Sequence, residues 1–200
     1  MATATIVRGV PPAGRERAAA LYAEAFRAKL RPALGDGPRA RGLLAATLRE
    51  DRVLCAVHER RVVGVLGFHA DGTGAFDVRH RHVASAYSRW SAWWRLLLLA
   101  PLDRRARPGE LLLDGICVDP AARGLGIGTA LLDAATELAR ARGATSVRLS
   151  VVDSNPRARA LYERLGFAPT RTGSSGPLRA LYGFRAATEM VRAVLPAGRA

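Results

Sequence analysis

The run Arg123-Gly-Leu-Gly-Ile-Gly128 constrains this chain more than any other feature, because it joins an apolar strand to an amphipathic helix. Upstream, Leu111–Val118 is a nearly continuous apolar stretch interrupted by Asp114 and Gly115, and Asp119-Pro120 ends it. Downstream, Leu131, Leu132, Ala135, Leu138 and Ala139 recur at helical spacing. They predict a helix from about Gly126 to Arg142, stopped by Gly143. Glycines at 124, 126 and 128 let the backbone approach a ligand closely. The first helical turn adds unpaired N–H groups at the positive end of the helix dipole, an anion site suited to a pyrophosphate. Taken alone, the run also reads as a turn that serves only tight packing. Two phosphate loops are excluded by its spelling. A Walker loop ends in Gly-Lys-Ser/Thr, and Gly128-Thr129 lacks the lysine; the dinucleotide pattern G-x-G-x-x-G does not fit G-x-G-x-G followed by Thr129-Ala130.

The flanking segments alternate strand and helix patterns. Residues 3–10 read as a short strand ending at Pro11-Pro12. Ala18, Leu21, Tyr22, Ala25 and Phe26 mark one face of a helix from about Gly14 to Leu30. Gly35-Asp-Gly-Pro38 breaks the chain before a second helix, Arg39 to Arg49. Arg52–His58 and Val62–His69, joined by the polar turn Glu59-Arg60-Arg61, predict a hairpin. Beyond the Gly-rich unit, Ser146–Val152 is a strand, and Asn155 followed by Pro156 is a helix start. Ala158, Leu161, Tyr162 and Leu165 share one face of that helix, which Gly166 ends. Phe167–Thr172 and roughly Ala187–Leu195 are closing strands separated by the irregular segment Gly173–Phe184.

Residues 71–108 read as a helical insertion. The segment carries Arg79-His-Arg-His82, Trp90, Trp93-Trp94 and Leu96–Leu99, and its apolar part is far short of the roughly 20 residues that span a bilayer. Its aromatic and leucine face would pack on the sheet, line a substrate pocket or touch a membrane surface, and packing is the favoured reading.

Charge and cysteine usage narrow the classes. The formal net charge is +14, yet the only lysine is Lys29 and the arginines run from Arg8 to Arg199, a diffuse bias rather than a nucleic-acid patch. Cys55 and Cys117 lie in apolar runs without metal-ligand spacing, which predicts reduced, buried thiols in a cytoplasmic protein. Met1–Val10 lacks the apolar region of a signal peptide. His69, His80 and His82 have no clustered cysteine or carboxylate at ligand spacing, so no metal is expected; His80 and His82 belong to a solvated basic segment or a substrate mouth.

Two motifs together resemble the GNAT superfamily of acetyl-CoA-dependent N-acetyltransferases. Arg123-Gly-Leu-Gly126-Ile-Gly128 is similar to that family's Arg/Gln-x-x-Gly-x-Gly/Ala, and Ile116-Cys-Val-Asp-Pro120 to the strand end before it. Asn155-Pro-Arg-Ala158-Arg-Ala-Leu161-Tyr162-Glu-Arg-Leu-Gly166-Phe167 is similar to Asn-x-x-Ala-x-x-Leu-Tyr-x-x-x-Gly-Phe, at the expected distance downstream. The resemblance covers residues 110–168, while 71–108 and 173–184 depart from the minimal pattern. It implies one α/β (α+β) domain over residues 1–200: a mixed, mostly antiparallel, twisted sheet flanked by helices. The strands near 111–118 and 146–152 would splay apart to admit acetyl-CoA. Backbone groups of the segment Ile116, Cys117 and Val118 would meet the pantetheine arm, and Arg123, Gly124, Leu125, Gly126, Ile127, Gly128 and Thr129 would hold the pyrophosphate. Asn155 would reach CoA from the next helix.

The resemblance also implies that Tyr162 donates a proton to the departing thiolate, although the residue equally reads as core. Asp114, an acid in an apolar strand, is the candidate base, since burial would raise its pKa; a structural carboxylate is the other reading. Glu110 shares its strand face by two-residue alternation and is the second candidate. Direct attack by a primary amine in a ternary complex needs no protein nucleophile, so Cys117, facing away from Ile116 and Val118, is core rather than an acyl carrier. A non-catalytic acyl-CoA-binding module and a basic polyanion binder are the alternatives, a homodimer is left open, and the acceptor amine is not legible.

Overall fold

The computed structural model describes residues 4–100, 104–174, 176 and 179–194. Its strands are β1 (Thr5–Arg8), β2 (Val53–His58), β3 (Arg61–Phe68), β4 (Glu110–Val118), β5 (Ser146–Val152), β6 (Ala168–Ser174) and β7 (Ala186–Ala193). They form one sheet in the order β1-β2-β3-β4-β5-β7-β6. Neighbours are antiparallel except β4 and β5, which run parallel. This is the mixed, mostly antiparallel sheet expected. Thr3 and Leu195, the outer ends of the expected first and last strands, lie outside the described residues, as do 101–103 in the insertion and 175, 177 and 178 in the irregular segment.

Helices cover both faces. On one side α6 (Ile127–Ala141) buries Ile127, Leu131, Leu132, Ala135 and Ala139 against Leu66, Leu111, Leu113 and Val147 of the sheet. Gly143, with φ +69°, ends the helix in the left-handed conformation that glycine adopts at little cost. On the other side α1 (Arg15–Ala25) packs Ala18 and Leu21 against Val53, Cys55, Val65 and Cys117. The hairpin turn between β2 and β3 places Glu59 and Arg60 at φ +48° and +63°, a two-residue turn matched to strand twist.

Three expectations change. The helix expected over 14–30 is two helices, α1 and α2 (Arg27–Leu34), broken at Phe26, whose φ and ψ of −105° and +17° are not helical. The ring of Phe26 lies on Gly115 of β4, where a Cβ would come within 2.2 Å of a ring carbon. The insertion supplies α4 (His80–Ala86) and α5 (Arg89–Leu99), but they pack on α2 and α3 (Pro38–Thr47) rather than on the sheet. Ala92, Leu96 and Leu99 of α5 face that helical cluster, whereas Trp90 and Trp93 are 90% and 71% exposed. The aromatic residues therefore sit on the outer face. The expected irregular segment holds the end of β6 and a short helix, α8 (Arg179–Tyr182).

The β4–β5 junction shapes the site. Their pairing covers only Glu110↔Ser146, Leu111↔Val147 and Leu112↔Arg148, and from Leu113 onward β4 keeps only its β3 neighbour. The opposite edge of β4 is left with unpaired backbone groups, which demand a partner. β4 also carries a bulge: Gly67 pairs with Gly115 but Phe68 pairs with Leu113, so Asp114 is the extra residue. Leu111 and Leu113 share one packed cluster with Ile116 and Val118, showing the strand's alternation shifted by one across the bulge.

Candidate active site

Each glycine of the Gly-rich run has its own reason. Gly124 and Gly126 sit at φ +81° and +74° with open space where a Cβ would be, so backbone conformation selects them. Gly128 instead lies under α7 (Pro156–Arg164), where a Cβ would come 3.2 Å from Leu161 Cδ2. Gly126 caps α6, and its carbonyl accepts from Ala130 N–H at 3.0 Å. The preceding helical N–H groups have no partner within the helix, and their residues, Ile127–Thr129, line a cavity of about 670 Å³. Arg123, Arg157 and Arg164 line the same cavity with no carboxylate side chain among its lining residues. Helix dipole and guanidinium groups together favour a polyanion there. Arg157 and Arg164 were not singled out from sequence; both lie in the Asn155–Phe167 motif at its unspecified positions.

The cavity continues between the parted strands. Asn155 Oδ1 accepts from Ala158 N–H at 3.1 Å, the N-cap expected from sequence. Two α7 turns after Asn155, Tyr162 is 6% exposed, with its ring 6.0 Å from that of Phe167. Its hydroxyl makes no hydrogen bond to the described residues, and burial pushes its pKa up to about 12. Phe26, Ile116, Asn155 and Tyr162 line both this cavity and a second one of about 270 Å³. Cys117 turns its side chain the other way, 5% exposed, its thiol 3.5 Å from the Val65 carbonyl and its pKa pushed by burial to about 12. Of that residue only the backbone faces the cleft.

Asp114 lines the second cavity and also a third, of about 390 Å³, on its far side. The bulge aims its carboxylate at the loop after β3. Oδ2 accepts from Ala75 N–H at 2.6 Å, and Oδ1 meets His69 Nε2 as an ion-pair contact. His69, 9% exposed, continues β3 and donates its own N–H to Leu112 O at 2.8 Å. Sequence inspection weighed His69 only as a metal ligand. Its partnership with Asp114 depends on β3–β4 register, and no local pattern announces it. His80 and His82 lie elsewhere, on α4, where His80 stacks 5.0 Å from Trp93 and His82 Nδ1 is 3.0 Å from Asp77 O. Among the described residues no three His, Cys, Asp or Glu side chains cluster as metal ligands.

Glu110, the second acid expected as a base, is held in an ion pair. Arg148 of β5 donates to both its oxygens at 2.6–3.0 Å, and Arg107 N–H donates at 2.6 Å. Burial alone would raise its pKa, but these bonds outweigh that and hold it below the usual carboxylate range. A carboxylate committed to a buried guanidinium is a poor proton acceptor. Arg148 also bonds Glu189 at 3.1 Å and Arg105 O at 2.8 Å, tying the insertion's return to the sheet.

An acetyltransferase (GNAT) family model matches residues 16–167. The chain belongs to the acetyltransferase (GNAT) family. Its resemblance to solved GNAT folds extends over nearly the whole chain. A crystal structure described as an acetyltransferase superposes with a TM-score of 0.63 at 22% identity, covering 96% of this chain and 100% of that one. A GCN5-related N-acetyltransferase from Kribbella flavida gives 0.62 at 18% identity, covering 96% and 98%. The ribosomal-protein-S18-alanine N-acetyltransferase from Escherichia coli gives 0.59 at 19%, covering 98% and 97%. At such identities these structures speak for the fold alone. A mycothiol acetyltransferase from Beutenbergia cavernae is 52% identical over 64 residues, 32% of this chain and 21% of that relative. No helix among the described residues of this GNAT chain is long and apolar enough to cross a membrane.

Proposed function

We propose that the chain, a single domain over residues 1–200, transfers an acetyl group from acetyl-CoA to a primary amine by direct attack in a ternary complex. One observation carries the reading: β4 and β5 part beyond Leu112, and Tyr162 and Asp114 both line the cavity next to the arginine-rich cradle. The Gly124–Thr129 backbone, with Arg123, would hold the pyrophosphate, and the free edge of β4 at Ile116–Val118 would pair with the amide-bearing pantetheine arm as an added strand would. Asn155 is expected to contribute mainly by capping α7. The short stretch shared with the mycothiol acetyltransferase supports acetyl transfer and leaves the acceptor open. Free, buried Cys55 and Cys117 are in keeping with a cytoplasmic location.

In this mechanism the neutral amine attacks the thioester carbonyl carbon, forming the C–N bond. The Asp114–His69 pair takes up the proton that the nitrogen sheds. The C–S bond then breaks, and Tyr162 donates to the departing sulfur, recovering its proton from solvent. With a pKa near 12, the phenol is fully protonated at neutral pH but a weaker acid than a thiol of pKa about 8.5. Its first contribution is therefore a hydrogen bond to the growing negative charge. Each acid or base group is expected to contribute about 10²–10⁴-fold.

The test follows free CoA thiol across an amine panel, with mass detection of product and acetyl-CoA binding measured alongside. Tyr162→Phe, Asp114→Asn and His69→Gln should keep acetyl-CoA binding and lose turnover. Unchanged turnover in these variants would remove the roles assigned to them, and absence of acetyl-CoA binding in the parent protein would remove the function itself.

A further inference from the structure

Asp114 separates two cavities, and the one away from the CoA cradle has a distinctive lining. Its walls are mostly apolar, including Leu30, Leu44, Phe76 and Leu96, and its polar side chains include Asp114, His69, Asp77 and Arg104. Asp77 is engaged by Arg79, whose Nε lies 2.9 Å from its carboxylate oxygens. Asp114 is engaged by His69 and Ala75 N–H. Arg104, half-buried, has no hydrogen bond or ion pair to any described residue.

A half-buried cation without a counter-ion gives up part of its hydration. A buried lysine can escape by losing its proton, but a guanidinium cannot. Burial weighs most heavily against the charge of Arg104, and the attraction of Asp114 only partly offsets it. The guanidinium offers five N–H donors with no acceptor among the described residues, at the wall of a ligand-sized space. Lining the same cavity as the carboxylate–imidazole pair, they would complement a molecule that carries an amine and a carboxylate close together.

We infer that the acceptor is a small amino carboxylate with an apolar body, its carboxylate bound by Arg104 and its amine presented to Asp114. This rests on the acetyl-transfer reading above and deepens it. Planar guanidinium and carboxylate groups match as a two-bond fork, which favours carboxylate over a neutral amide of the same shape. The cavity of about 390 Å³ suits a molecule of amino-acid size, and the leucine and phenylalanine walls suit an aliphatic or aromatic side chain.

Two measurements test it. The first compares kcat/KM for L-leucine, leucinamide and isoamylamine, and for L-phenylalanine, phenylalaninamide and phenethylamine, in the parent protein and in Arg104→Gln. The carboxylates should lead the amides by at least about tenfold, the effect of a charge-assisted hydrogen bond, and the lead should vanish in the variant. Equal rates for carboxylate and amide, or a lead that survives Arg104→Gln, would overturn the inference. The second measurement needs no turnover: thermal unfolding with L-leucine or L-phenylalanine against the matching amide at equal ionic strength. A carboxylate-specific rise in Tm in the parent, absent in Arg104→Gln, supports the proposal; no rise, or the same rise in both proteins, refutes it. If no amine is acetylated while this carboxylate-specific rise is seen, the fault lies with the acetyl-transfer reading and not with the anion site.

Discussion

Lys29 is the only lysine in the chain, so its titration can be followed without interference from any other side-chain amine. It lies on α2 at the wall of the cavity shared by Asp114 and Tyr162, with Nζ 5.6 Å from the Phe26 ring centre and 5.5 Å from that of Phe184. Burial first, and repulsion from Arg104 second, lower its pKa from 10.5 to about 8. That fall corresponds to about 3 kcal/mol lost by the charged form on folding. The two rings attract the ammonium by about 0.5–1 kcal/mol each, which offsets part of the loss but not the whole. Lys29→Met keeps the apolar stem and removes the charge, and should therefore stabilise the protein by about 1–2 kcal/mol at pH 7. Between pH 8 and 10.5 the unfolded chain still holds this proton while the folded chain has released it. Stability credited to Lys29 thus rises with pH across that window and is lost as pH falls back through about 8. Urea unfolding of the parent and Lys29→Met at pH 7 and pH 10 reads the difference, which should shrink at the higher pH. Competitive labelling with isotopic acetic anhydride gives the pKa directly. A labelling midpoint at 10 or above, or a variant less stable than the parent at pH 7, would show that rings and water keep the ammonium charged and that the desolvation argument is wrong.

Other substitutions separate structure from chemistry. Glu110→Gln should cost about 1.5–3 kcal/mol in urea unfolding, because it removes the charge from the nearer of the two carboxylates on buried Arg148 and leaves Glu189 as the other. Since the folded pKa of Glu110 is depressed, its contribution is present above the ordinary glutamate range and lost as pH falls below it, so the two proteins should converge in acid. Gly74→Ala would place a Cβ 2.4 Å from Asp114 Oδ2 and 2.9 Å from His69 Nε2, and should lower kcat at least about tenfold. Gly42→Ala, in open space on α3, should leave kcat unchanged and stabilise by up to about 1 kcal/mol. Cys117, buried and with its pKa pushed to about 12, should resist iodoacetamide in the folded protein and react on unfolding, as intact mass would report.

Local chemistry made part of this protein legible. Asn155 and Pro156 start α7 as their types predict, because a cap is decided by the residues within one turn of it. The left-handed glycines at 124 and 126 and the apolar face of α6 follow from steric freedom and helical spacing in the same way. Phe26 shows where that reasoning ends. Its spacing fits an unbroken helix, and the break belongs to a contact with Gly115 on a strand far along the chain. The tryptophans of α5 show the same limit: helical periodicity identifies two faces, but which one is covered depends on where α2 and α3 lie.

By itself, then, the sequence determined the strand–glycine–helix cradle, the placement of Tyr162 on the following helix and the run of β4, since each rests on interactions between near neighbours. Tertiary structure alone decided what the acids of β4 do. Glu110 is drawn into a buried pair by the strand beside it, and Asp114 is turned towards His69 by a bulge that exists only when β3 and β4 pair in this register. The physical reason is one of range. Caps and periodicity act over a few residues, whereas register, burial and the partner of a buried charge are set by segments that meet only after the chain has folded.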